Sequence, residues 1–191
     1  MKVGNRPSIR NETGSLFHVT DEKNLDSIKK YGLVGAFKAR KFIEKGGVIR
    51  HFNHKTYAIL SQFAPDNLDI YRATFMFNSE DDLKEELTSL ISDPCFLEIE
   101  VSQLDKDCLY VCNSAIASRL MNYSKLDRKK LAVLYWDTAM PYEIYKTNKE
   151  EVHNIFEENG IIYQPEYVYF KEIPTKYINM KEVREYDISR N

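Results

Sequence analysis

Long apolar runs are missing from this chain: no stretch of about 18 apolar residues occurs, which excludes a membrane-spanning helix. The opening Met1-Lys2-Val3-Gly4-Asn5-Arg6-Pro7 lacks the apolar core of a signal peptide, so a cytoplasmic location is expected. Cysteine is scarce. Three residues, an odd number without Cys-x-x-Cys spacing, argue against a disulfide framework. Cys108 and Cys112 have no histidine nearby and make no zinc site, so all three cysteines are expected to be small buried hydrophobes. Net charge of one sign is lacking too. With 27 basic and 29 acidic residues the formal charge is −2, which excludes a globally basic nucleic-acid binder. Internal repeats and low-complexity linkers are absent. What remains, 191 residues at 43% hydrophobic and 29% charged, predicts one globular domain over residues 1–191 with its core at about 14–180.

The densest signal lies at Leu16-Phe17-His18-Val19-Thr20-Asp21-Glu22-Lys23-Asn24-Leu25-Asp26-Ser27-Ile28-Lys29-Lys30-Tyr31-Gly32-Leu33. It predicts a strand, a helix capped by Asp21 that buries Leu25 and Ile28, and a stop at Gly32. Strand side chains alternate, so His18 and Thr20 point the same way beside Leu16. Two polar groups just before a helix N-terminus suit a nucleotide. The same pair also suits plain structure, with both groups satisfied inside the fold.

A second signal closes the chain. After Gly160 comes Gln164-Pro165-Glu166-Tyr167-Val168-Tyr169-Phe170, whose aromatic and β-branched residues predict a strand. Period two groups Glu166 with Val168 and Phe170, and Tyr167 with Tyr169. A carboxylate opening an apolar strand face needs a reason, because burying it unpaired is costly. It is either an edge-strand gatekeeper or a catalytic acid at a strand end.

These segments together resemble a known family. The His-x-Thr strand leading into Asn24-Leu25-x-Ser27-Ile28 and Gly32-Leu33 is similar to the N-terminal NAD-binding motif of DarT-type ADP-ribosyltransferases, within the diphtheria-toxin and PARP-like superfamily. Glu166-Tyr167-Val168-Tyr169 followed by Ile173-Pro174 and Tyr177-Ile178 resembles the strand that carries that family's catalytic glutamate. Phe63-Ala64-Pro65 and Tyr110-Val111-Cys112-Asn113-Ser114-Ala115 are weaker echoes in the same order. Two positions depart from the pattern: Asp66 stands where the family has Arg, and Pro165 where it has Ala.

The resemblance implies an α+β, split two-sheet ADP-ribosyltransferase fold with helices packed on the outside. It implies NAD as the consumed co-substrate and no metal. Glu166 would stabilise the sugar cation formed when nicotinamide leaves, as in glycoside cleavage. Arg40 and Arg50 are both candidates for the catalytic arginine. His18 would bond a ribose hydroxyl, Thr20 the nicotinamide amide or ribose, and Asn24 belongs to the same motif. Tyr57 is a candidate to stack on nicotinamide or a core residue, and Gln164 and Asn113 are candidates to position the acceptor. That acceptor is expected to be a base of single-stranded DNA, with RNA and protein open. A toxin-like role would add an antitoxin protein as partner. An NAD-binding interaction module without transferase activity is the alternative.

Local charge fits a phosphate-bearing ligand. Lys38, Arg40, Lys41, Lys45, Arg50 and Lys55 face one acid, Glu44, with His51 and His54 interleaved. Lys125, Arg128, Lys129 and Lys130 form a second run. Either run is a solvated face or a phosphate contact. Elsewhere, a capping box at Ser79 to Asp82 precedes an apolar stripe of Leu83, Leu87, Leu90 and Ile91. Cys95, Leu97, Ile99 and Val101 alternate as a buried strand face. Asn113 to Met121 predicts a helix, and Leu131 to Trp136 suits helix or strand. Thr147-x-x-Glu150 predicts a capping box that starts a helix using Val152, Ile155 and Phe156. The charged residues after Met180 are expected to fray.

Overall fold

A computed structural model describes residues 14–35, 54–78, 91, 93–122 and 124–180. Arg40, Arg50, most of the first basic run, the box at Ser79 to Asp82 with Leu83, Leu87 and Leu90, and the residues after Met180 lie outside these residues.

In chain order the elements are β1 (Ser15–Asp21), α1 (Leu25–Tyr31), α2 (His54–Ser61), β2 (Thr74–Met76), β3 (Pro94–Glu100), β4 (Leu109–Asn113), α3 (Ser114–Arg119), α4 (Lys125–Asp137), β5 (Met140–Pro141), α5 (Tyr142–Glu158), β6 (Pro165–Tyr169) and β7 (Ile178–Asn179). The architecture is mixed helix and sheet with two antiparallel sheets, ordered β1-β3-β7 and β2-β6-β4-β5. β3 buries Leu97 and Ile99, with Val101 just beyond it, as its alternation predicts. Among the cysteines only Cys112 is buried; Cys95 and Cys108 are partly exposed because each lies near a strand end.

One rung joins the two sheets. Phe17 and Phe77 exchange both backbone hydrogen bonds, each at 2.8 Å, linking β1 to the end of β2. Two apolar cores flank this arrangement. The first gathers Leu16, Leu97, Ile99, Met76, Tyr167 and Tyr169 under α1 and α5. The second packs α2, α3 and α4 on the other face of the four-stranded sheet, around Cys112, Val168 and Phe170. Its strands are therefore apolar on both faces, as a sheet covered twice requires. Trp136 anchors α4 to α2 by donating its Nε1–H to the Leu60 carbonyl at 2.8 Å. Leu131 to Trp136, open to either state in the sequence, is helix.

Two local signals work differently from their sequence reading. Asp21 accepts from Lys23 N and caps a short 3-10 turn, and α1 starts only at Leu25. Two helical stretches of α5 meet at Asn148, whose φ of −122° and ψ of 20° are non-helical, so a helix that buries Val152 and Phe156 begins after Thr147 as the box predicts, while Ile155 is exposed. The Thr147 hydroxyl does not cap forward; it donates back to the Ile144 and Glu143 carbonyls. A box motif inside a helix gives a bend when the hydroxyl finds preceding carbonyls first.

Gly32 ends α1 at φ +75°, and the next residue, Leu33, pairs with Ile173 through two backbone bonds. A Cβ at Gly32 would stand 2.2 Å from the Ile173 oxygen. Gly32→Ala therefore combines a left-handed backbone with a collision against backbone. The expected loss is roughly 2–4 kcal/mol, read as a lower urea midpoint at unchanged slope. An unaltered midpoint would refute the close approach.

Candidate active site

The sheet junction is where the sequence candidates converge. The β1–β2 pairing at Phe17 and Phe77 would continue, in a regular ladder, with Val19 bonded to Phe75. It does not. The Phe75 carbonyl takes its hydrogen bond from His18 Nδ1 at 2.8 Å. An imidazole thus takes the carbonyl that the next rung would use. A carbonyl only accepts, so Nδ1 carries the proton and a neutral ring offers Nε2 as an acceptor. Burial pushes the His18 imidazole below the usual histidine range, partly offset by the bond to Phe75, which keeps the ring neutral near pH 7.

Val19 follows. Alternate residues of β1 spend their backbone groups on β3, and Phe17, Val19 and Asp21 turn theirs toward β2. Past His18 no ladder pairs Val19 with Phe75, and the main-chain groups of Val19 turn toward the junction.

Glu166 stands across the junction. It lies on β6 opposite Cys112 of β4, and continuing the β2–β6 register by one residue sets Phe77 on its other side. Two strand spacings, about 10 Å, separate it from Phe17. The carboxyl makes no hydrogen bond or ion pair among the described residues, and burial pushes it up to about 7. Tyr57 on α2 packs edge-on against Phe75 at 5.7 Å and near Tyr71 at 6.2 Å. Burial and then the charge of Glu166 raise its phenol far above the ordinary value. Burial pushes the Cys112 thiol up to about 12, and the Tyr135 phenol is raised by burial first, with Cys112 and Glu166 adding to it.

Alternation sets Glu166 on the Phe75–Val168 face and His18 on the Leu16–Met76 face, so the two side chains start from opposite faces of the strands. Thr20 is 7% exposed, and its Oγ1 accepts from Asn24 Nδ2 at 3.1 Å. These two motif residues are thus joined to each other. Asn113 is fully buried. Its Oδ1 accepts from Ala115 N and Gln164 N, and its Nδ2 donates to the Ile162 carbonyl. Its amide is used inside the fold to fix the turn that delivers Glu166. The Gln164 main chain is held at both ends, its carbonyl accepting from Ser114 N and Oγ, and its residue is exposed.

Three features of the junction were not legible in the sequence. Val19 turns main-chain groups toward it, which no side-chain pattern reports. Thr74 and Asp21 each bury an oxygen without a partner among the described residues. In the second basic run, Lys129 lies 5.9 Å over the Phe63 ring. No group of three His, Cys, Asp or Glu side chains able to hold a metal occurs among the described residues, and none of their helices is long and apolar enough to cross a membrane.

The chain matches no family model, no curated protein and no solved structure.

Proposed function

We propose that this protein is an NAD-dependent ADP-ribosyltransferase whose site is the split between its two sheets. The observation that carries this reading is Glu166: a half-buried carboxyl at the start of an apolar strand, unpaired among the described residues, beside the junction and desolvated enough to be pushed up to about 7. A fold keeps so costly a group where its charge has work to do. Cleaving NAD supplies that work. The bond from the ribose carbon to the nicotinamide nitrogen breaks, its electron pair leaves with neutral nicotinamide, and positive charge spreads onto the ring oxygen. A carboxylate in a site of low polarity stabilises that cation more than water would.

The other groups suit the same ligand. A carboxamide carries both an N–H donor and a carbonyl acceptor, the complement of Val19 C=O and N–H. His18 Nε2 accepts from a sugar hydroxyl. A dinucleotide is long enough to pass through the gap and reach both faces. An acceptor nucleophile then attacks the ribose carbon and gives up its proton. The resemblance favours a base of single-stranded DNA as that acceptor, and a toxin paired with an antitoxin as the setting.

Incubating the full chain with NAD labelled in the adenylate, beside separate pools of single-stranded DNA, RNA and protein, tests this. Label retained on one pool, with free nicotinamide released, is the expected result. Intact NAD in every pool would leave an interaction module and overturn the transferase.

A further inference from the structure

The face of β6 that begins with Glu166 holds more chemistry than its carboxyl. Register sets Glu166 opposite Cys112 of β4, so the two side chains stand on one face with Cβ atoms about 5 Å apart. Tyr135 of α4 packs onto that face at 1% exposure. Its hydroxyl is hydrogen-bonded to the Cys112 thiol. A second phenol, Tyr57 of α2, packs on Phe75 of the same face. The bond from Trp136 Nε1 to the Leu60 carbonyl fixes the helix that carries Tyr135 against the one that carries Tyr57.

Among the described residues, the titratable groups that feel the Glu166 charge are Cys112, Tyr135 and Tyr57. Each is neutral near pH 7, since burial holds all three above their ordinary values. Burial alone acts on Glu166, and no described cation offsets it. A carboxylate formed here therefore needs donors. Sulfur accepts hydrogen bonds weakly, whereas bonds to a carboxylate are about twice as strong as those between neutral groups. A hydroxyl bonded to Cys112 lies within one side chain's length of the carboxyl beside it. Turning to Glu166 trades a weak acceptor for a strong one when the charge appears.

We propose that Tyr135 is a positioning residue for Glu166: its hydroxyl rests on the Cys112 thiol while the acid is neutral and moves to the carboxylate once it ionises. The thiol then donates to the phenol oxygen, so no member of the group is left unpaired. At its depth Tyr135 acts through Glu166 and not on a ligand, fixing one carboxylate oxygen and leaving the other to the sugar cation. The role in catalysis rests on the proposed transferase; the contact with Glu166 does not.

Carbon NMR of the full chain labelled at glutamate carboxyls follows Glu166 directly, its signal being the one lost in Glu166→Gln. Tyr135→Phe removes one oxygen from the same shape. It should raise the Glu166 midpoint by about one to two pH units, the scale of a hydrogen bond to a charge. The pH profile of kcat for NAD cleavage should move with it. Cys112→Ala removes only the resting partner, so the midpoint should stay or fall. An unmoved midpoint in folded Tyr135→Phe would overturn the proposal. So would an equal rise in both variants, which marks repacking alone. If Tyr135→Phe does not fold, 3-fluorotyrosine at position 135, a stronger donor of like shape, should lower the midpoint, and no change there overturns the proposal equally. Midpoints that move as expected in a chain that leaves NAD intact would keep Tyr135 on Glu166 and remove the transferase.

Discussion

Glu166→Gln should abolish most NAD turnover and make the protein more stable above neutral pH. The substitution keeps the volume of the side chain and removes its charge. Loss of a charge aimed at a developing cation costs roughly 100- to 1,000-fold in turnover. Stability moves the other way because of where the carboxyl sits. Burial raises its folded value to about 7, against about 4.3 in an unfolded chain. Between those values the folded state holds the extra proton, so wild-type stability falls as pH rises, and the loss is complete above the folded value. Below about 4 the acid is neutral in both states and the penalty vanishes. Gln pays no such penalty at any pH. At pH 8 the variant should gain on the order of 2–3 kcal/mol, or about 5–10 °C in melting temperature, shrinking toward zero near pH 4. Groups elsewhere titrate alike in both proteins and cancel in the difference. Turnover by wild type should in turn rise through pH 7 as the carboxylate forms. A variant that keeps full turnover removes Glu166 from the chemistry; one with equal stability at pH 8 shows that its charge is paired after all.

Under the proposed function Glu166 sets stability against activity, as site groups commonly do. The candidate is legible because a single acid opens an apolar strand, and the break shows in the sequence at Glu166. Other parts were not legible, for reasons that differ. Period two correctly sets His18 beside Leu16, yet it gives a direction and not a partner. That the ring displaces a ladder rung depends on β2, a strand of three residues far along the chain. Val19 looks like any strand valine, since what marks it is only the direction its main-chain groups turn. Asn113 carried a motif echo that suggested contact with an acceptor, whereas its amide is spent on three main-chain groups. The Thr147 box marked the start of a helical stretch after Asn148 but not its cap, because preceding carbonyls lay within reach of the hydroxyl.

Asn113→Ala should damage both stability and turnover, for reasons that run from one side chain to the whole site. Asn113 caps α3, ties the Gln164 main chain and holds the Ile162 carbonyl, all from a position with no exposure. Alanine leaves the buried Ala115 N–H without its partner, worth about 1–3 kcal/mol, while the Gln164 N–H and the Ile162 carbonyl, on exposed residues, can turn to water at smaller cost. The net loss should be about 2–3 kcal/mol, at the upper end of the usual single-substitution range. The urea midpoint should fall at unchanged slope. Glu166 begins two residues past Gln164, so loosening this turn also frees the carboxyl from its place beside the gap. At a temperature where the variant stays folded, turnover should still drop tenfold or more, since small misplacement near reacting atoms is expensive. Hydrogen exchange separates this from general weakening. The Gln164 amide should lose its protection first, while amides in the β1–β3 ladder exchange only with global unfolding. Gln164 protection equal to that of β1 in folded Asn113→Ala would mean that Ser114 alone holds the turn and that Asn113 does not position the glutamate.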